Sequence, residues 1–420
     1  MIDDIFLQKI INRSFYTDKL IKYIWSPVIK VLVWQRRVGK SYILKSMVKY
    51  LVKNQIIPKD NIFYINKELI EYDNICDYQD LNNEFEKFVK NIWHNRFVIA
   101  IDEIQVIKNW EKFINSCLSK YWDRAEIYIT WSNSFLLSSE LSTYISGRYI
   151  SIFVLPLSFD EFCQFSSKEN NKNTFFEYLK YWWMPWIFQM NRSDETIFNY
   201  LKSIYNTILL KDIISHFNIK NLDFFDELYK YTLTNIGNIF SAKNISDYLK
   251  SQKLTTSIDT VLNYLWYGQN AFIIHKVKTV DTKSKKYFEI YNKYYSNDLW
   301  IRNSITGYIL SRDIWLLLEN YIYILLSKHW FDIYIWRLTN NQEIDFIASK
   351  NGKTIYIQVS TTIMDPNTLD REYRPLEQIT DNWPKYVVTL DDQNFGIKEG
   401  IIHSNIILFE KILYEFCNIE

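Results

Sequence analysis

The sequence predicts an α/β protein that begins with a parallel β-sheet and continues with helical and mixed segments. Three observations predict this class. Short apolar runs alternate with helical stretches up to residue 154, a loop ending in Gly39, Lys40 and Ser41 follows the first run, and the third run ends at Asp102. Such alternation of strands and helices is typical of a parallel sheet covered by helices.

Five strand-like runs define the predicted N-terminal domain, residues 1–160. They lie at residues 30–33, 62–66, 97–101, 126–130 and 149–154. Residues 161–225 are mostly helical in pattern. Residues 226–285 predict a helix, a turn, a second helix from Ser257 and an apolar strand, which is the order of a winged helix. Residues 286–420 combine a long apolar helix with strands and form the last predicted domain.

The composition is that of an ordinary globular protein. The chain has 420 residues, of which 48% are hydrophobic and 23% charged, and its formal net charge is +1. A charge so close to zero argues against a protein that coats nucleic acid by bulk electrostatics. No apolar stretch approaches the roughly 20 residues of a membrane span. The four cysteines are far apart and fit reduced thiols. We therefore expect a cytoplasmic protein without a membrane partner.

The loop after the first strand matches a phosphate-binding P-loop, Gly-x-x-x-x-Gly-Lys-Ser/Thr, at all but one position. Trp34 stands where the motif has its first glycine. In a P-loop, backbone amides surround the phosphates, the lysine bridges the β- and γ-phosphates, and the serine hydroxyl binds Mg²⁺. With glycine at position 34, the sequence predicts ATP and Mg²⁺ as cofactors and an ATP-binding loop of Trp34, Gln35, Arg36, Arg37, Val38, Gly39, Lys40 and Ser41.

A second motif supplies groups for hydrolysis. The run FVIAIDEIQ places Asp102 at the end of an apolar strand and Glu103 beside it. An aspartate in this position holds Mg²⁺ together with the P-loop serine, Ser41, and the adjacent glutamate polarises the attacking water. Because the two motifs occur in the required order, the pair is far more specific than either alone.

Two further features are weaker candidates for catalysis. The next strand ends in Ser132, Asn133 and Ser134, whose polar groups are suited to orienting water or sensing the γ-phosphate. Beyond it, Arg148 is a candidate arginine finger that acts within the chain or toward a neighbouring subunit of an oligomer. A solvated or ion-paired arginine is the alternative.

The tryptophans occur where glycines are expected. The chain has 15 Trp and only 8 Gly. Trp25, Trp122 and Trp330 follow predicted helices, as do Trp182, Trp183 and Trp186, at junctions where a left-handed glycine is usual. An AT-rich genome depletes glycine but should also deplete tryptophan, whose codon is UGG.

We therefore hypothesise that many of these codons are UGA, which some bacterial lineages read as glycine. The positions are Trp25, Trp34, Trp122, Trp131, Trp182, Trp183, Trp186, Trp300, Trp315, Trp330 and Trp336. Genuine core tryptophans are the alternative.

With glycine at position 34, the chain resembles the predicted AAA+ ATPases of bacteria and archaea that carry a C-terminal nuclease-like domain of unknown function. The resemblance rests on VLVWQRRVGKSYIL, IAIDEIQ, ISGRYISIFVLPLSFDEF, RDIWLLLENYIYILL and QEIDFIASKNGKTIYIQVS, and it spans nearly the whole chain. It implies a P-loop AAA+ core, a helical lid over 161–225, a winged-helix-like middle over 226–285 and an α/β, restriction-endonuclease-like domain over 286–420. Glycines occupy most of the tryptophan positions in that family.

The resemblance also implies a PD-(D/E)xK nuclease site in the last domain. Glu319 and Asp345 would fill its first two positions, but at the third, an acid-x-Lys pair, Gln358 replaces the acid and Ser360 replaces the lysine. A glutamine offers only a neutral carbonyl oxygen to a metal, and a serine supplies no cation. We therefore expect a degenerate nuclease fold retained for binding.

The sequence thus favours an Mg²⁺-dependent ATPase whose hydrolysis rearranges the later domains on a protein or nucleic-acid partner. A slow nucleotide-dependent switch in a DNA-binding regulator is the alternative, and an ATP-gated nuclease is the least favoured. DNA would meet the helix from Ser257, with Lys243, Lys250 and Lys253 as basic candidates, although solvated lysines are the simpler interpretation.

Overall fold

A computed structural model describes residues 2–92, 95–132, 145, 147–181, 184–190, 193–207, 213–240, 242–251, 257–281, 287–337 and 342–418. The chain divides into two compact units. The first comprises Met1–Pro156 and Met184–Trp186, and the second comprises Leu157–Trp183 and Ile187–Glu420. Among the described residues, no helix combines the length and apolar character needed to cross a membrane.

The first unit contains a five-stranded parallel sheet, which confirms the predicted N-terminal α/β fold. Its strands are β1 Ile29–Val33, β2 Ile62–Asn66, β3 Phe97–Asp102, β4 Ala125–Trp131 and β5 Tyr149–Phe153, in the spatial order β2-β3-β4-β1-β5. Its helices are α1 Ile2–Leu7, α2 Ser14–Ile21, α3 Lys40–Lys53, α4 Tyr78–Asn91 and α5 Trp110–Tyr121. All residues of β1, β2 and β3 are buried, as expected for parallel strands covered on both faces.

The second unit contains the remaining helices and a nine-stranded mixed sheet. Its helices are α6 Phe159–Ser166, α7 Lys172–Tyr181, α8 Asp194–Thr207, α9 Ser215–Phe217, α10 Leu222–Thr234, α11 Ala242–Ser251, α12 Ile258–Asn270, α13 Leu299–Thr306, α14 Leu310–Lys328, α15 Pro366–Glu377 and α16 Phe409–Asn418. Its strands are β6 Ile239–Phe240, β7 Ile274–Asp281, β8 Tyr287–Ser296, β9 Asp332–Arg337, β10 Glu343–Lys350, β11 Lys353–Val359, β12 Lys385–Thr389, β13 Ile397–Lys398 and β14 Ile401–Asn405.

The nine strands form one sheet, in the order β13-β14-β12-β11-β10-β9-β7-β8-β6. The helix predicted from Ser257 is present as α12, and the Ser257 hydroxyl caps it by accepting the Thr260 N–H at 3.1 Å. The predicted domain boundary at 285/286 lies between β7 and β8, which pair antiparallel. Since β7 also pairs in parallel with β9, the sheet continues across the predicted boundary.

Among the residues that the structure describes, three tryptophans adopt backbone conformations that favour glycine. The φ angles are 61° at Trp25, 156° at Trp34 and 63° at Trp330. Trp330 follows α14, where its own N–H donates to Ser327 O and the next N–H donates to Leu326 O, both at 3.1 Å. This pair of bonds is the Schellman motif, whose left-handed position is usually glycine.

Trp122 differs from the expectation of a left-handed helix stop. Its φ of −55° is right-handed, because the chain leaves α5 through an ordinary turn in which the Arg124 N–H donates to Tyr121 O. Trp186 lies within a 3₁₀ turn, Pro185–Gln189, rather than at a left-handed stop. Trp182 and Trp183 lie outside the described residues.

Candidate functional site: a nucleotide site at the carboxyl edge of the parallel sheet

The loop between β1 and α3 has the backbone of a tight anion-binding turn. Three of its residues have positive φ angles: 156° at Trp34, 70° at Arg37 and 98° at Gly39. Gly39 is the N-cap residue of α3, so the first amides of this 14-residue helix point into the loop. Helix N-termini of this kind bind phosphate through unpaired N–H groups and the helix dipole.

Lys40 lies inside this loop and contacts its backbone. Its Nζ donates to the carbonyl oxygens of Gln35 at 2.7 Å and Trp34 at 3.0 Å. Burial lowers the pKa of Lys40 to about 8, although the carboxylates of Glu103 and Asp102 oppose the shift. The ammonium therefore lies in the loop beside the N-terminus of α3.

Asp102 ends β3 and is fully buried. Thr130 Oγ1 donates to its Oδ1 at 2.5 Å, and its Oδ2 has no hydrogen-bond partner among the described residues. Burial raises the pKa of Asp102 to about 6, while Thr130, Ser41 and Lys40 favour its charged form. A buried carboxylate oxygen without a partner beside the P-loop serine fits an Mg²⁺ ligand, because Mg²⁺ prefers hard oxygen donors.

Glu103 follows Asp102 in a left-handed conformation, with φ 57°. Its N–H donates to Thr130 Oγ1 at 2.8 Å, and its carboxylate accepts hydrogen bonds from the Ser132 hydroxyl and, at 2.5 Å, from the Gln105 amide. Since β4 lies between β3 and β1, Thr130 and Ser132 stand between the acidic residues and the P-loop. The sequence indicated Ser132 but not Thr130, because threonine is common in strands and its presence there does not indicate a functional role.

The remaining candidates of the N-terminal domain are less well placed. Arg148 is exposed and precedes β5, where its carbonyl accepts the Ile29 N–H at 2.9 Å. This is the amino end of β1, whereas the P-loop follows its carboxyl end, so the fold does not bring Arg148 to the P-loop within one chain. A role toward a neighbouring subunit stays a prediction. Asn133 and Ser134 lie outside the described residues.

Arg13 is a site residue that the sequence did not indicate. Its guanidinium donates to Val38 O at 2.9 Å and to the carbonyls of Leu155 and Pro156 at 2.9 and 3.0 Å. It is buried and fixes the back of the P-loop to the segment after β5. No sequence signal was available, because 25 residues separate Arg13 from Val38.

Three residues of the expected nuclease site lie on one helix and two neighbouring strands. Glu319 is on α14, Asp345 on β10 and Gln358 on β11. Gln358 Oε1 accepts the Asp345 N–H at 3.3 Å, and its Nε2 donates to Glu372 at 2.9 Å. Ser360 Oγ donates to the Thr362 carbonyl at 3.2 Å. Both replacement side chains are thus engaged in local hydrogen bonds.

Residues 226–285, where a winged helix was predicted, offer little positive charge along α12. This helix contains one aspartate, Asp259, and neither Lys nor Arg. Lys243 and Lys250 are exposed on α11, and Lys250 pairs with Asp247 at 3.6 Å. Lys253 lies outside the described residues. Contact of α12 with DNA phosphates is therefore not favoured by its charge.

Comparison with protein families identifies residues 26–163 as an AAA domain. With the parallel sheet, the P-loop and the buried Asp102–Glu103 pair, this match defines the N-terminal part as a P-loop ATP-binding ATPase domain. Two domains of unknown function match further along, DUF8612 at residues 172–309 and DUF4143 at residues 316–408.

Relatives cover most of the chain. An uncharacterized protein of Haemophilus influenzae is 32% identical over 384 residues, which is 90% of this chain and 93% of the relative. An uncharacterized protein of Methanocaldococcus jannaschii is 29% identical over 409 residues, 92% of this chain and 86% of the relative. The chain belongs to the same protein family as the Haemophilus influenzae protein. A solved structure, the Walker-type ATPase of Pyrococcus abyssi, aligns with a TM-score of 0.47 and 15% identity over 70% of this chain and 96% of that chain.

Proposed function

We propose that the protein hydrolyses ATP with Mg²⁺ and uses the cycle to rearrange its second unit on a protein or nucleic-acid partner. The observation that carries this proposal is the Thr130 hydroxyl, which contacts both acidic residues at once. It donates to Asp102 and accepts from the Glu103 N–H. One side chain next to the P-loop thus bonds the carboxylate of the predicted metal ligand and the backbone of the predicted base.

Each residue has a defined role in this proposal. The loop amides and Lys40 bind the phosphates, and Ser41 with Asp102 would hold Mg²⁺. Bound Mg²⁺ would neutralise charge on the β- and γ-phosphate oxygens. Glu103 orients the attacking water and accepts its proton through a carboxylate oxygen. Arg13 keeps the loop in position by fixing the Val38 carbonyl.

A slow nucleotide-dependent switch is the second candidate, and one observation favours it. Both carboxylate oxygens of Glu103 already accept hydrogen bonds, from Ser132 and Gln105. These two bonds orient the carboxylate and use part of its capacity to accept hydrogen bonds, which would keep turnover low until a partner changes the site. Turnover measured with and without duplex DNA separates the candidates: appreciable turnover favours the enzyme, and tight binding without turnover favours the switch.

We also propose glycine at position 34 of the cellular protein. Trp34 has a φ of 156°, and its indole is 7% exposed and packs edge-on against Phe153 at 6.0 Å. A non-glycine residue in this region of φ costs about 1 to 3 kcal/mol. Positive φ angles at Trp25 and Trp330 support the same assignment. So do the indole N–H groups of Trp131, Trp300 and Trp336, which are buried without an acceptor among the described residues.

The codon at position 34 tests the glycine assignment directly. UGA supports it, and UGG at this and the other glycine-favouring positions contradicts it.

The ATPase proposal is tested with variants in a Trp34→Gly background. Lys40→Ala should abolish ATP binding, because it removes the buried phosphate contact. Glu103→Gln should retain ATP binding but lose most turnover, because an amide accepts no proton from water. Lys53→Ala, at the exposed end of the same helix, is the matched control and should change neither quantity. Full turnover in Glu103→Gln would remove Glu103 from the mechanism.

A further inference from the structure

A buried lysine lies among the acidic residues of the C-terminal domain. Lys293, on β8, is 1% exposed. Its Nζ is 2.8 Å from Glu319 Oε1, 2.8 Å from Glu343 Oε1 and 3.7 Å from Asp345 Oδ1. Neither Lys293 nor Glu343 was indicated by the sequence. One ammonium therefore faces three carboxylates from α14 and β10, where the nuclease resemblance implies a metal ion.

The surrounding groups hold these carboxylates toward the lysine. The Tyr295 hydroxyl donates to the same Glu319 oxygen at 2.6 Å, and the Val359 N–H donates to Asp345 Oδ2 at 2.9 Å. The backbone at Gly237 closes the other side of Glu319, because a Cβ there would lie 3.0 Å from Glu319 Oε2. The oxygens that face Lys293 are Asp345 Oδ1 and Glu319 Oε1, and Glu319 Oε1 also accepts the Tyr295 hydroxyl.

The contacts at 2.8 Å with Glu319 and Glu343 favour the charged form of Lys293. Burial alone would lower the pKa of Lys293, but the carboxylates of Glu319, Asp345 and Glu343 raise it above its usual value. Burial and the charge of Glu319 raise the pKa of Asp345, against the attraction of Lys293. An ammonium is a compact cation with three donors, so it can satisfy several acidic side chains as a metal would.

The residues present do not fit a divalent metal ion. The position of the cation is filled by Lys293 Nζ, and Gln358 directs its carbonyl oxygen to a backbone N–H. Among the residues that the structure describes, no group of three or more His, Cys, Asp or Glu side chains is arranged to hold a metal. We propose that Lys293 is a built-in counter-cation that replaces the metal of a nuclease-like site, and that its removal lets Glu319, Glu343 and Asp345 move together around a divalent cation.

Mn²⁺ binding by the full chain tests this inference. Nucleotide is left out and Asp102→Asn is present throughout, so that the P-loop site does not contribute. The parent protein should bind no Mn²⁺ and its Tm should not respond to the ion. Lys293→Met should have a lower Tm than the parent, bind one Mn²⁺, and recover part of the lost Tm when Mn²⁺ is added. Adding Asp345→Asn to Lys293→Met should remove both the Mn²⁺ binding and the recovery of Tm.

Two results would overturn the inference. One is stoichiometric Mn²⁺ binding by the parent that Asp345→Asn abolishes, a measurement that needs no change at Lys293. The other is a folded Lys293→Met protein without any response to Mn²⁺. If Lys293→Met does not fold, Lys293→Gln serves as the second variant. The Mn²⁺ measurement on the parent protein still decides whether the lysine excludes the metal. Either result leaves the ATPase proposal untouched, since the assay contains no nucleotide.

Discussion

Replacing Thr130 by valine should shift the pH dependence of Mg²⁺-dependent ATP binding upward. Valine keeps the shape of threonine but removes the hydroxyl that donates to Asp102 at 2.5 Å. A hydrogen bond to a charged group contributes about 1.5 to 3 kcal/mol, and 1.36 kcal/mol corresponds to one pKa unit, so the pKa of Asp102 should rise by about 1 to 2. Burial already raises this pKa to about 6.

The expected direction follows from the charge that Mg²⁺ needs. Only ionised Asp102 can hold the metal, so Mg²⁺-dependent affinity is lost as the pH falls through the pKa. With a pKa near 6, about nine-tenths of the carboxyl is ionised at pH 7, and a rise of about 1 to 2 leaves between about a half and a tenth. Thr130→Val also removes the acceptor of the buried Glu103 N–H, at a cost of about 1 to 3 kcal/mol in unfolding free energy.

The assay is binding of a fluorescent ATP analogue across the pH range, with Mg²⁺ and with EDTA, in the Trp34→Gly background. The difference in affinity between the Mg²⁺ and EDTA measurements gives the contribution of the metal. It also removes most of the pH dependence that comes from protonation of ATP itself. Thr130→Ser, which keeps the hydroxyl, is the control and should follow the parent. Superimposable pH profiles for the parent and Thr130→Val would refute the assignment of Asp102 as a metal ligand tuned by Thr130.

Two further predictions concern Lys40 and the helix-end tryptophans. ATP affinity without Mg²⁺ should fall as the pH rises through about 8, because the Lys40 ammonium loses its proton there. A Lys40→Arg variant that binds ATP should not show this fall in affinity. Trp330→Gly should raise the unfolding free energy by about 1 to 2 kcal/mol in denaturant titrations, because it relieves left-handed strain. Trp122→Gly, at a right-handed position, should not raise it. Equal effects of the two substitutions would contradict the strain argument.

The parallel sheet and the P-loop were predictable because their signals are local in the sequence. The runs at β1 and β3 are continuously apolar, and the polar groups that follow each run stand at fixed spacing from it. Arg13 and Lys293 gave no such signal, because each acts across a tertiary contact: 25 residues separate Arg13 from Val38, and 26 separate Lys293 from Glu319.

Backbone conformation was only partly predictable. Trp330 has the left-handed backbone that its place after a helix suggested, but Trp122 does not, since a right-handed turn also ends a helix. The spacing of a helix end from the next strand is compatible with both geometries. Which one forms depends on the hydrogen bonds of the following residues, such as the Arg124 N–H to Tyr121 O bond after α5.

The pairing of β7 with β9 has a mechanical consequence. The ladder joins Lys278 to Tyr334 and Asp281 to Arg337 at its two ends. Separating the strands would break backbone hydrogen bonds of about 0.5 to 1.5 kcal/mol each. The described part of β7 is therefore tied to β8 on one side and to β9 on the other. We expect a movement of β7 to carry with it β9 and the neighbouring strand β10, which contains Glu343 and Asp345.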